Sequence, residues 1–130
     1  MAAYKAVCCC GALEVEAAGE PVLNAICHCD NCKRRTGSAF GWSAYFPEAS
    51  VTVRGEVRIY AFEKPNTRQE RSFCPNCGST LFWRSSVIAG LVGVAGGPLV
   101  AGGLGEPTTS ASEGSRCAWL DLPESWQRWP

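Results

Sequence analysis

The sequence predicts a small, mainly β domain, a single sheet or a sandwich. Three observations carry that prediction. Nearly every segment is a short apolar or alternating run, as half-buried strands are. Turn residues break these runs at intervals of about 8–12 residues, the spacing of small all-β folds. The length, 130 residues, is one domain's worth, without an internal repeat or a linker, so residues 1–130 are read as one domain.

In chain order, Tyr4–Cys8 and Ala12–Glu16 are predicted strands separated by the turn Cys8-Cys9-Cys10-Gly11. Glu20-Pro21 marks the next turn, and Val22–Cys27 reads as a strand. Asp30–Arg35 is predicted to form one helical turn ended by Gly37. Phe40–Phe46 alternates aromatic and small residues until Pro47. Val51–Arg54 and Val57–Phe62 are expected to form a tight hairpin about Gly55, with a turn at residues 64–67 after it. Arg68–Phe73 and Thr80–Trp83 flank Cys74-Pro75-Asn76-Cys77-Gly78. Val87–Val94 is a predicted strand and Ala95–Gly114 an irregular stretch. Cys117–Leu122 is expected as the last strand, with Trp126 and Trp129 packing the tail.

Val87 to Leu104 is 18 residues without a charge, about the length of a membrane span, but six glycines and Pro98 make a spanning helix a poor reading. Twelve basic residues cancel twelve acidic ones, which argues against nucleic acid and against an anionic membrane as partners. The opening residues, Met1 to Cys8, lack the apolar core of a secretory signal. A cytoplasmic setting follows as the expectation, where thiols stay reduced and paired cysteines signify metal sooner than disulfides.

The nine cysteines are the unusual feature. Cys74 and Cys77 lie in a C-P-x-C-G turn, where the proline and the glycine let backbone amides wrap toward the sulfurs, as in half of a four-cysteine zinc site. In extended chain, residues i and i+2 share a face, so Cys8 and Cys10 point together and form the natural complement. Cys27, Cys29 and Cys32 make a three-sulfur bowl by the same alternation and a short fold-back. A structural zinc takes four protein ligands, whereas a catalytic one keeps three and an open position. His28, the only histidine, lies between two of these ligands and reads as a supporting or surface residue. Cys9 and Cys117 are expected to be small buried apolar residues. Closure of the bowl by His28, Cys9 or Cys117 would favour a purely structural module. Lys33, Arg34 and Arg35 could offset thiolate charge, hold a substrate carboxylate or form a solvated turn.

In register, these residues resemble the glutathione-dependent formaldehyde-activating enzyme family, also called centromere-protein-V-like. The motifs are C-x-C-G at Cys8, Cys10 and Gly11, C-H-C-x-x-C at 27–32, the run from Arg35 to Phe40, Phe-Cys-Pro-x-Cys-Gly-Ser at 73–79, and Leu81 to Arg84. The resemblance covers roughly residues 4–94, and Trp119 with the Leu-Pro beyond it more loosely. It implies an Mss4-like β fold with two zinc ions: a structural one on Cys8, Cys10, Cys74 and Cys77, and a catalytic one on Cys27, Cys29 and Cys32. It also implies carbon–sulfur lyase chemistry in which glutathione and formaldehyde give S-hydroxymethylglutathione. Aromatics such as Phe40, Trp42 and Phe82 could wall a groove beside the bound thiolate, with ordinary core packing the favoured reading for any one of them. The chain departs from the family at 96–103, Gly-Gly-Pro-Leu-Val-Ala-Gly-Gly, where relatives carry a Gly-x-Leu-Asp-type turn, and it lacks the Pro-x-x-His segment that follows there. A zinc-stabilised module that binds a protein partner is the competing reading.

Overall fold

Alternating burial along the first two strands already sets out the architecture. In β1 (Ala3–Val7) Tyr4 and Ala6 are buried between exposed neighbours, and in β2 (Glu14–Ala18) Val15 and Ala17 are. These are half-buried strands with one face on a core and one in water. The computed structural model describes residues 3–130; Met1 and Ala2, part of the opening segment read for a secretory signal, lie outside them. β1 and β2 pair antiparallel, and β5 (Val51–Arg54) adds to β2 to complete a three-stranded sheet.

The second sheet has eight strands. Following the chain they are β3 (Leu23–Cys27), β4 (Gly41–Pro47), β6 (Arg58–Lys64), β7 (Thr67–Phe73), β8 (Thr80–Ser85), β9 (Leu91–Ala95), β10 (Thr109–Ala111) and β11 (Gln127–Arg128). Their spatial order is β11-β10-β3-β4-β9-β8-β7-β6. One core cluster joins Tyr4, Ala6, Val15 and Ala17 of the small sheet to Ala44, Phe46, Leu81, Phe82, Val92 and Val94 of the large one. The mainly β prediction holds, and both sheets share one apolar core.

The expected hairpin about Gly55 does not form. β5 pairs with β2, whereas β6 pairs with β7, so Gly55 is where the chain leaves one sheet for the other. Its φ of +107° and the backbone oxygen of Ala12, only 2.2 Å from where a Cβ would stand, admit glycine alone. β2 begins later than predicted because residues 8–13 form a knuckle closed by the Cys8 amide on the Leu13 carbonyl, 3.0 Å. The β6–β7 hairpin turns at Pro65-Asn66 within the expected stretch, with Asn66 at φ +74°. Proline followed by a residue of positive φ is the type II combination.

Val87–Val94 is not one strand. The Ser85 hydroxyl accepts the Val87 amide at 3.3 Å and starts a 3-10 turn over Ser86–Ile88, and Gly90 at φ +85° reverses the chain into β9. The stretch expected to be irregular holds a one-turn helix, α2 (Gly96–Leu99), and β10, which runs parallel to β3. Pro98 sits in the first turn of α2, where its missing N–H has no intrahelical partner to lose. Cys117–Leu122 forms a turn, the Leu120 amide bonding the Cys117 carbonyl at 3.0 Å, and the final strand is β11 instead. Among the described residues no helix is long and apolar enough to cross a membrane.

Two glycines permit the packing of two tryptophans. A Cβ on Gly93 would stand 2.2 Å from the Trp83 indole nitrogen, and one on Gly96 would stand 2.2 Å from the Trp42 ring. Gly93→Ala and Gly96→Ala should each lower the unfolding free energy by about 1–3 kcal/mol, the usual cost of overpacking. Gly97→Ala, whose Cβ meets nothing within 4 Å, should be close to neutral in the same urea titration.

Candidate metal centre

The end of β1 and the turn between β7 and β8 meet through their cysteines. Cys8, Cys10, Cys74 and Cys77 place their sulfurs within 4.8 Å of one another, a group that could hold a metal ion. Cys10 Sγ lies 3.7 Å from the sulfurs of both Cys8 and Cys74. Zinc–sulfur bonds of about 2.3 Å in a tetrahedron give edges of about 3.8 Å, so the spacing fits zinc. The backbone points donors inward: the Leu13 amide reaches Cys8 Sγ at 3.2 Å. In the second knuckle the Gly78 amide bonds the Cys74 carbonyl at 2.8 Å, with Gly78 at φ +80°. Ser79 ties the halves together, its hydroxyl accepting the Cys9 amide and bonding Cys77 Sγ, both at 3.2 Å. That hydroxyl, together with the amides of Ser79 and Cys10, holds the Cys77 thiol at a pKa of about 5, where it is ionised at neutral pH.

Cys27, Cys29 and Cys32 form a second group within 4.8 Å, and no fourth cysteine, histidine or carboxylate joins it among the described residues. Cys27 ends β3. Cys29 caps the helix α1 (Asp30–Thr36), its sulfur accepting the Cys32 amide at 3.4 Å, and Cys32 lies in the first turn. Gly37, at φ +68°, ends α1 where expected. Hydrogen bonds from Cys29 and Cys32 hold the Cys27 thiol far below the ordinary thiol range. The same bonds, burial and the neighbouring negative charge push Cys32 far above it. Three sulfurs this close cannot all ionise without a cation among them.

Alternation sends His28 to the other face, where it is fully buried. It closes neither cluster and is not a surface residue. Its Nε2 is 2.7 Å from the Ser110 hydroxyl, which donates in turn to Glu113, and Glu113 takes Arg116 and Arg128 at 3.3 and 3.1 Å. Burial keeps the imidazole below its ordinary pKa despite the pull of Glu113. Ser110, Ser112 and Glu113 are site-supporting residues with no legible signal in a stretch read as irregular; Ser112 Oγ accepts from Cys27 Sγ at 3.5 Å. Cys9 is exposed, contrary to expectation, because it crests the knuckle whose neighbours point inward; Cys117 is half-buried and joins neither cluster.

The three basic residues divide their work. Lys33 Nζ donates to the Ser115 carbonyl at 2.6 Å and pins the C-terminal segment beside the three-cysteine group. Arg34 is exposed. Arg35 stacks on Trp83, its guanidinium 4.0 Å from the ring centre. Of the three aromatics, Phe82 and Trp42 follow the core-packing reading. Phe82 belongs to the core, Trp42 packs on that core with its Nε1 donating to Asn24 Oδ1 at 2.6 Å, and Phe40 lies edge-on to His28. Trp83, one residue along β8, takes the outer face instead.

Residues 3–112 match the model of the glutathione-dependent formaldehyde-activating enzymes, and the chain belongs to that family. An 83-residue stretch, 64% of this chain, is 32% identical to a Schizosaccharomyces pombe protein described as an uncharacterized lyase. The match spans 58% of that relative, less than two thirds of its length. The crystal structure of a Rhodobacter sphaeroides protein matches with a TM-score of 0.62 at 21% identity, over 97% of this chain and 99% of that one, a likeness of fold. The mainly β architecture and the cysteine clusters agree with the Mss4-like fold of the family.

Ser110→Ala would remove the one hydrogen bond of the His28 ring, since Nδ1 has none and Nε2 would be left with only the Glu113 carboxylate at 3.5 Å. The variant should lose about 1–3 kcal/mol in chemical unfolding, the usual cost of an unsatisfied buried polar group. Ser112→Ala, which removes only a long contact to sulfur, should lose distinctly less.

Proposed function

We propose that the chain is a zinc-dependent carbon–sulfur lyase that adds a thiol, glutathione or one like it, to formaldehyde or a related small aldehyde, or reverses that addition. The observation that carries the reading is the three-sulfur group of Cys27, Cys29 and Cys32, joined by no fourth metal-type ligand among the described residues. Four thiolates are the pattern of a structural zinc, and three with an open position that of a catalytic one. Cys8, Cys10, Cys74 and Cys77 would then hold a structural zinc and Cys27, Cys29 and Cys32 a catalytic one, two per chain. Family membership and the lyase description of the yeast relative support the same reaction class.

Zinc in the three-cysteine site would offer a fourth position to an external sulfur and hold it as the thiolate at neutral pH. In the addition a carbon–sulfur bond forms, the carbonyl π bond breaks, and its oxygen takes up the proton that the thiol released. Cys27, on a strand end, and Cys29 and Cys32, on a capped helical turn, keep the ligand geometry rigid. Arg35 on Trp83 sets a fixed positive charge beside a site that three thiolates make negative. The partners are small molecules and the setting the cytoplasm, with neither nucleic acid nor membrane involved.

The protein purified under reducing conditions should contain two zinc ions per chain, or one if the open site has lost its metal; metal analysis finding none would refute the reading. Cys77→Ser should lower the melting temperature sharply, because metal binding to a closed site contributes folding free energy, and Cys32→Ser should act mildly. The opposite order would reverse the two roles. With cobalt in place of zinc, glutathione, cysteine or a model thiol should change the visible spectrum, and the zinc protein should accelerate hemithioacetal exchange with formaldehyde. Failure of both would favour the protein-binding module.

A further inference from the structure

Directly paired residues of an antiparallel sheet point to the same face. On the outer face of the large sheet this rule joins the three-cysteine group to a row of side chains leading away from it. Cys27 pairs with Gly41, and a Cβ on Gly41 would stand 2.5 Å from Arg35 Nη2 and 3.0 Å from Cys32 Cβ, so α1 lies tightly over that strand. Arg35 covers Trp83, Trp83 pairs with Arg71, and Arg71 pairs with Tyr60 on the edge strand β6. The row ends in a groove of about 290 Å³ between α1 and the β6–β7 hairpin.

Three cations line the groove: Arg34 from α1, Lys64 and Arg71. None of them, nor Arg35 next to them, has a carboxylate partner among the described residues. Arg68, Arg84, Arg116 and Arg128 all do. The only acid on the rim, Glu63, is drawn to Arg68 at 3.8 Å. Arg71 is half-buried and spends only Nε on a neighbour, the Gln69 side-chain oxygen at 2.8 Å. Burial first, and then the charge of Arg35, make its positive form costly to hold, while Cys32 and Cys29 act in the other direction. A half-buried guanidinium with two exposed cations beside it, and no carboxylate paired to any of them, is a site suited to an anion.

The groove is also aromatic. Tyr60 and Phe62 stand with ring centres 5.8 Å apart, and Arg71 and Lys64 lie over Phe62 at 5.2 and 5.7 Å. Tyr60 remains more than half exposed on the edge strand, beside Phe62, with its outer ring face open to solvent. A bare inorganic anion would use the cations and leave the rings idle.

We propose that this groove binds a small organic anion with a flat apolar body, its charged group between Arg34, Lys64 and Arg71 and its body against Tyr60 and Phe62. That the anion is a substrate or product of the three-cysteine group rests on the lyase reading; the binding itself does not. Formaldehyde has neither a charge nor a ring and would need nothing of this groove.

The test is a titration of the zinc-loaded full chain with benzoate and phenyl phosphate, and with acetate and inorganic phosphate, followed by calorimetry and by the ring resonances of Tyr60 and Phe62. Benzoate or phenyl phosphate should bind at least about tenfold more tightly than its ring-free counterpart, and the tighter of the two identifies the charged group as carboxylate or phosphate. The double variant Arg34→Gln/Lys64→Gln, and separately Tyr60→Ala, should each weaken that binding by about tenfold or more. All three positions are exposed, and unchanged melting temperatures would confirm that the variants fold. Equal affinity for ring-bearing and ring-free anions, no saturable binding, or undiminished binding by the double variant would each overturn the proposal. If the anion binds as described while thiols leave the cobalt spectrum unchanged, the groove stands and the lyase reading falls. Thiol binding without anion binding means the reverse.

Discussion

Seven sulfurs gathered into two groups, each within 4.8 Å, are the constraint on which the other features depend. Ionised, they repel; protonated, they lose the acceptor role for which Leu13 and Cys32 supply amides. A cation resolves the conflict and a hydrophobic core does not. In the four-cysteine group a cation would close a long loop, since Cys10 and Cys74 lie 64 positions apart. The group also joins the end of β1, in the small sheet, to the β7–β8 turn of the large one, so both sheets close on their shared core through it. A domain of this size buries about two thirds of its unfolded surface, and a metal cross-link between its sheets would add to what that core supplies.

The three-cysteine group is placed differently, and the placement matters for chemistry. It lies on the outer face of the large sheet, away from the core, with two of its cysteines on α1 and its cap. Gly41 lets α1 approach β4 closely enough to bring Cys32 over the end of β3, and Lys33 then anchors the C-terminal segment alongside. Beneath the strand end, His28 and Ser110 bind the parallel pair β3–β10 from the buried side. The group is thus held firmly from below and from one flank, while its other flank opens toward Trp83 and Arg71.

Local sequence revealed most strands and both cysteine groups, because strand alternation and C-x-x-C spacing are short-range signals. Partner choice was not legible. Val51–Arg54 and Val57–Phe62 look like a hairpin, but Gly55 serves a sheet change enforced by the Ala12 carbonyl, a contact some forty residues away in sequence. Ser85 and Gly90 divide a continuous apolar run by capping and by positive φ, features that outweigh hydrophobicity over so short a span. The glycine-rich stretch concealed β10, which gains strand geometry by pairing with β3 and β11. Residues such as Ser110 and Glu113, which support the site from there, carried no pattern of their own.

Phe82 and Trp83 show how one residue of register decides which aromatic reaches the outer face. Phe82 and Trp83 are both nearly fully buried, and composition does not distinguish them. Pairing does: Phe82 stands opposite Val94 on the core face, and Trp83 opposite Gly93 on the outer one. Gly93 leaves room for the indole, the indole seats Arg35, and Arg35 lies against the strand that carries Gly41 beside Cys32. Exchanging the two faces would put a guanidinium in the core and leave the three thiols facing an apolar strand. The positive outer face is therefore a consequence of sheet register, and the basic run after Cys32 takes its meaning from the strands beneath it.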